Sequence, residues 1–141
     1  MAVTQLINSA LSATTYLTTT LNALANDGND LGAAIANGTN RDQFLKVEIA
    51  LATVDLSSQT SPGVQIRLIE SIDGTTYEDN DDTAYAITLP VDATSAAHKR
   101  IGDIAIPPGN FKIAVVNRTG VALAATGNTL KYAPYTTETD I

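Results

Sequence analysis

Cysteine is absent from this 141-residue chain, tryptophan is absent too, and histidine occurs once, at His98. Without cysteine there is no disulfide framework and no thiolate metal site. A single histidine leaves a zinc or copper centre without its usual donors. A nucleophilic triad would have to be built on His98, which sits beside Lys99 and Arg100 with no nucleophile-elbow sequence in the chain. His98 is therefore expected to be a solvated residue on an edge strand. Basic residues are also scarce: eight Lys and Arg face fifteen Asp and Glu, a formal net charge of -7. Nucleic-acid affinity comes largely from cations neutralising phosphates, and anionic membrane surfaces attract the same residues, so neither partner is expected. The glycines are scattered, and none opens a helix as a phosphate-binding loop requires. Met1 to Thr20 has neither a charged start nor a long apolar run, so no signal peptide or membrane helix is expected, and the chain reads as made and folded in a reducing cytoplasm.

What is present is small and β-favouring. Ala occurs 21 times and Thr 20 times, against two Phe and five Tyr. The branched Cβ of Thr suits a pleated surface. Leu45, Val47, Ile49 and Leu51 alternate with Lys46, Glu48 and Ala50; Val64, Ile66 and Leu68 alternate with Gln65 and Arg67. Tyr85, Ile87 and Leu89 form a third run, stopped by Pro90. Phe111, Ile113 and Val115 follow Pro107-Pro108-Gly109, and Leu130 and Tyr132 flank Lys131. Period-two spacing bounded by turn residues predicts half-buried antiparallel strands. Weaker signals predict strands over Thr14 to Leu24, Leu31 to Ala36, His98 to Ile106 (interrupted near Gly102) and Val121 to Ala125. Asn37-Gly38 is the strongest local hairpin signal.

Eight or nine short strands with turn signals every 8–12 residues, and no useful helical period, predict an all-β fold. The expected architecture is a two-sheet antiparallel β-sandwich, jelly-roll-like, with an immunoglobulin-like sandwich as the alternative. The expected organisation is an N-terminal arm over 1–13, a sandwich domain over 14–135 and a C-terminal tail over 136–141, the two ends being extended arms. One domain of this length buries roughly 68% of its unfolded surface, enough for one core.

Chemistry is sparse. Glu78, Asp79, Asn80, Asp81 and Asp82 form the densest acidic cluster. Oxygen donors on a loop could hold calcium, but the EF-hand spacing is missing; acidic residues that keep a sheet edge soluble are the plainer alternative. A carboxylate pair for sugar hydrolysis would need a cleft. Asn37-Gly38-Thr39 and Asn117-Arg118-Thr119 match the glycosylation sequon and read best as turns. No catalytic residue, cofactor or metal site is expected, and the chain reads as non-enzymatic.

Three blocks in order carry a resemblance: Ile69-Glu-Ser-Ile-Asp-Gly-Thr-Thr-Tyr77, Ile106-Pro-Pro-Gly-Asn-Phe-Lys-Ile113, and Asn117-Arg-Thr-Gly120 with Thr126-Gly-Asn-Thr-Leu-Lys-Tyr-Ala-Pro-Tyr135. Together they resemble small virion structural proteins of tailed bacteriophages, of the capsid decoration (cement) type with a jelly-roll fold. The resemblance covers mainly residues 64–135 and brings no catalytic residue with it. It implies a structural protein on the outer capsid surface that bridges neighbouring shell subunits, with the major capsid protein as partner and a homo-oligomer, dimer or trimer, as its state. It also implies a virion location after synthesis in the host bacterial cytoplasm. A glycan- or receptor-binding β-sandwich of a head or tail fibre is the alternative. Val3, Gln5 and Ile7 alternate with Thr4 and Leu6. That pattern suits an arm that adds a strand to a neighbour's edge, so Val3, Thr4, Gln5, Leu6 and Ile7 are the expected capsid or subunit contacts.

Overall fold

The computed structural model describes residues 4–7, 11–38, 41–81, 83 and 85–140; for 4–7 and 137–140 the description is of the backbone. Among these residues eleven strands follow one another: β1 (Thr4–Ile7), β2 (Thr14–Leu17), β3 (Asn29–Leu31), β4 (Ile35–Ala36), β5 (Phe44–Asp55), β6 (Gly63–Ser71), β7 (Tyr85–Pro90), β8 (Ser95–Ala105), β9 (Asn110–Arg118), β10 (Thr129–Tyr135) and β11 (Thr137–Asp140). A single 3-10 turn, Thr19–Leu21, interrupts them.

Two antiparallel sheets face each other. One has the order β2-β10-β5-β8, the other β3-β9-β6-β7, with β4 continuing β3 along β9. Every link between these strands crosses from one sheet to the other except β3 to β4, which both lie along β9, and β6 to β7. That wrapping is the double Greek key of a jelly roll, and it rules out the immunoglobulin-like alternative. The links β2–β3, β5–β6, β7–β8 and β9–β10 gather at one end. The links β4–β5, β6–β7 and β8–β9 gather at the other, where β2 begins and β10 ends.

The core sits where the period-two pattern places it. Leu45, Val47, Ile49 and Leu51 point inward from β5, Val64, Ile66 and Leu68 from β6, and Phe111, Ile113 and Val115 from β9, all buried. Leu17, Leu21, Leu89, Ile104, Ile106, Leu123 and Leu130 complete the cluster. Each such side chain contributes about 1.5–3 kcal/mol relative to exposure. Phe111 is the largest of them, and its truncation to Ala would cost about 3–5 kcal/mol. Gly102 lies against Leu89 and Ile87, where a Cβ would meet Leu89 Cδ2 at 2.6 Å and push that side chain aside.

Four local expectations are corrected. The strand expected over Thr14 to Leu24 ends at Leu17, and Leu21 reaches the core from the 3-10 turn instead. Asn37-Gly38 makes no hairpin: β4 pairs with β9 while β5 pairs with β8 and β10, so the turn carries the chain between sheets. β8 starts at Ser95 and runs through Gly102 without interruption. Val121 to Ala125 forms no strand; it is a loop whose Leu123 is buried and whose backbone bonds to Leu24.

Candidate docking surface

The two chain ends meet. β1 and β11 form their own two-stranded antiparallel sheet, with Thr4 opposite Asp140 and Ile7 opposite Thr137, separate from both sheets of the sandwich. Thr4, Gln5, Leu6 and Ile7, expected as contact residues, therefore lie in one strand; Val3 lies outside the described residues. β11 follows β10 after the single residue Thr136, whose Oγ1 accepts the Gln43 N–H at 3.2 Å. The ribbon is thus continuous with the β10 side of the four-stranded sheet.

The outer face of that sheet carries an amphipathic patch. Phe44 and Tyr135 stack with centroids 5.4 Å apart. Tyr135 Oη donates to Asp103 Oδ1 at 2.8 Å, and Lys46 Nζ lies 2.9 Å from the same carboxylate and over the Tyr135 ring. Burial raises the Asp103 carboxyl, but the Lys46 and Tyr135 hydrogen bonds and the Lys46 charge outweigh it and hold it below the usual range. Burial, then the bond to Asp103, raises the Tyr135 phenol. Beside this cluster runs a shallow apolar groove of about 190 Å³, lined by Leu11, Ala13, Ile101 and Ala133 and by Lys46 and Lys131. Leu11 and Ile101, 43% and 55% exposed, are its two large aliphatic side chains open to solvent.

A second concavity lies at the end where the β6–β7 and β8–β9 links meet. It is an open depression of about 870 Å³ lined by residues that include Glu70, Asp73, Thr76, Tyr77, Glu78 and Pro108. Asp73 builds its wall: it accepts N–H bonds from Thr75 and Thr76 and the Ser71 hydroxyl. The Thr76 and Thr75 amides, then Ser71, pull its carboxyl down to about 2. Gly74 turns the chain at φ 75, where a side chain would be strained and would strike Asn110. Burial, then the neighbouring Glu78 charge, pushes the Glu70 carboxyl up. Lys112 Nζ sits 4.1 Å from the Tyr77 ring centre, a cation–π contact.

The acidic loop does not stand free in solvent. Arg67 Nη1 donates to the Asn80 carbonyl at 2.9 Å and to Asp81 at 3.1 Å, folding the segment back over the outer face of β6. Among the described residues, no group of three or more His, Asp or Glu side chains could hold a metal ion.

Other singled-out residues have structural work. Asn117 and Asn37 are buried, so both sequons are turn latches. Asn117 Nδ2 donates to the carbonyls of Leu24 and Val121, and Asn37 Nδ2 to those of Asp42 and Pro107. Asn128, also buried, donates to Asn22 and Ala124. His98 lies on the edge strand β8 as expected, but its ring is half-buried and its Nε2 is shut from solvent with no partner, which corrects the solvated reading. Sequence reasoning missed the aromatic cluster of Phe44 and Tyr135, residues 91 positions apart in the chain that register side by side on β5 and β10.

No family model matches this chain, and no curated protein matches it. Solved structures that match this chain include a family 35 carbohydrate-binding module in complex with a glucuronic-acid-containing disaccharide. It is 13% identical at a TM-score of 0.44, covering 100% of this chain and 91% of that one. The corresponding module from Cellvibrio japonicus Abf62 is 11% identical at a TM-score of 0.46, covering 99% of each chain. A family 35 module from an environmental isolate is 9% identical at a TM-score of 0.44, covering 96% of each. The jelly-roll assignment itself rests on the strand order.

Proposed function

We propose that this chain is a non-enzymatic binding protein: a structural virion protein that docks on the outer surface of a tailed-phage capsid and bridges neighbouring shell subunits. The observation that carries this reading is the β1–β11 ribbon outside the sandwich. A two-stranded ribbon is marginal in water by itself, so it calls for a surface that covers it. The apolar groove and the Phe44–Tyr135 cluster on the adjoining sheet face extend the same contact. The ordered resemblance of residues 64–135 to virion proteins names the partner class, the major capsid protein. Individual contacts need not be strong, because a shell presents many copies and simultaneous engagement multiplies weak affinities. Deletion of residues 2–11 tests the arm. Reduced occupancy on undecorated shells is expected, and undiminished occupancy would contradict it.

A second reading, sugar recognition, has its own observation in the open depression, where Tyr77 stands among the Glu70, Asp73 and Glu78 carboxylates. An aromatic ring beside convergent polar groups is the usual make-up of a sugar site. Lys112 already occupies a position over the Tyr77 ring, which weakens stacking there. Sugar binding is also what the similar structures are named for, at likenesses too low to transfer it. A glycan array with the wild type and Tyr77→Ala decides this reading: sugar binding lost in the variant supports it, and no binding to any glycan removes it.

A further inference from the structure

We propose that β8 is a homodimerisation edge, on which a second copy of this chain pairs antiparallel about a two-fold axis at Ile101. Among the described residues β8 is the last strand of its sheet, pairing with β5 on one side only, and at eleven residues it is among the longest strands of the fold. Long free edges usually carry a device against pairing, such as proline, a bulge or an inward-pointing charge. No proline occurs in β8, and its bulge with β5 falls at the far end, near Ala96 and His98. Its charges are Lys99, Arg100 and Asp103, with Arg100 opposite the buried Ile49 on the inward side, and it is the pattern of Lys99 and Asp103 that makes this edge self-complementary. Ser95, Ala97, Lys99, Ile101, Asp103 and Ala105 all lie exposed along it.

The outward residues read as a palindrome of charge. With Ile101 opposite the partner's Ile101, Lys99 comes opposite the partner's Asp103, Asp103 opposite the partner's Lys99, and Ala97 opposite the partner's Ala105. An isologous interface needs this self-complementarity, and both ion pairs arise from one rotation. On the other side of the strand Arg100 comes opposite the partner's Gly102, which has no side chain to clash with it. Moving the centre by one residue destroys the match. Centring on Arg100 sets two guanidinium groups face to face, and centring on Gly102 sets Ile101 against the partner's Asp103. Asp103 keeps its Lys46 and Tyr135 bonds while its carboxylate, 45% exposed, has a free side for the partner's lysine. The pairing would join two four-stranded sheets into one of eight strands and bring the two Ile101 grooves together.

Sedimentation equilibrium across a concentration series tests this with the full chain. The wild type is expected to dimerise. Lys99→Asp and Asp103→Lys, each of which sets like charges opposite, are expected to weaken association about tenfold or more. Their equimolar mixture should recover it as a heterodimer, because Asp at position 99 then meets Lys at position 103. A misfolded variant cannot restore its complement, so recovery separates a lost contact from a lost fold. Hydrogen exchange on the wild type is the independent check: amides of residues 97–105 that face away from β5 should slow as protein concentration rises. A wild type that stays monomeric, a dimer indifferent to both charge changes, a mixture that fails to recover, or exchange independent of concentration would each overturn the proposal.

Discussion

The Tyr16 hydroxyl serves as a strand neighbour for Ile113, accepting its backbone N–H at 3.1 Å and donating in turn to the Ala33 carbonyl. β3 leaves β9 at Leu31 and β4 rejoins it at Ile35; the Gly32 N–H still donates to the Ile113 carbonyl at 3.2 Å, but the Ile113 N–H has no backbone partner in this gap. The ring of Tyr16, from the opposite sheet, enters that gap and passes through the space a Gly32 Cβ would fill. It packs edge-on against Tyr132 at 5.5 Å. Burial raises its phenol to about 12, so it stays a neutral donor at any ordinary pH.

Tyr16→Phe keeps the ring and removes the bridge. Two backbone groups lose their partner, and a loss of about 1–3 kcal/mol is expected in chemical denaturation. Gly32→Ala should destabilise at least as much, because its methyl group collides with the ring. A Tyr16→Phe variant as stable as the wild type would show that water replaces the hydroxyl.

Asn117 holds the β2–β3 link to the β9–β10 link. Its amide donates to Leu24 and Val121, and its carbonyl accepts from the Thr119 amide and hydroxyl. Asn117→Ala orphans several buried groups together and should cost about 2–4 kcal/mol by urea titration. Asn117→Asp keeps the acceptor but loses both donors, and it should be nearly as damaging.

These latches explain what was legible. The alternation at Leu45–Leu51, Val64–Leu68 and Phe111–Val115 places the core strands because one face of each is buried and side chains alternate strictly. Sheet partners were not legible, since they depend on long-range pairing: Asn37-Gly38 is a hairpin signal locally, yet Asn37 is claimed by Gly109 and Pro107, about 70 residues away. The three blocks that carried the resemblance hold Asp73, Gly74, Pro107, Gly109, Asn117 and Asn128, all turn or latch residues. They mark how the loops are tied rather than a reactive site. The patch at Phe44, Lys46, Asp103 and Tyr135 was hidden because three strands distant in sequence build it.

Acid should weaken the fold in a defined window. The folded Asp73 carboxyl titrates near 2 instead of its ordinary 3.8, so it binds protons less readily than in the unfolded chain. Its contribution is complete above about pH 4 and is lost as pH falls toward 2. Asp55, lowered by its hydrogen bonds from Ser57, and Asp103 act in the same direction, and Glu70, raised by burial, acts in the opposite one. Asp73→Asn should flatten the fall in the urea midpoint between pH 4 and pH 2; an unchanged pH profile would remove Asp73 from this account.

Arg67 ties down the acidic segment, and its own side chain is only 11% exposed. Arg67→Met keeps the aliphatic stem over the sheet and drops the bonds to Asn80 and Asp81. Global stability should change by about 1 kcal/mol or less, since Asp81 is solvated. Proteolytic cutting within residues 78–81 should become markedly faster, and unchanged cutting would mean that the loop is held by other contacts.

The most direct measurement is binding of the purified chain to undecorated shells of a tailed phage, as the proposed capsid role requires, with a glycan array run on the same preparation. The predicted result is saturable binding at a fixed ratio to shell subunits, reduced when residues 2–11 are removed, with no glycan retained. Sugar binding with no attachment to shells would contradict the capsid reading and leave the depression around Tyr77 as the functional site.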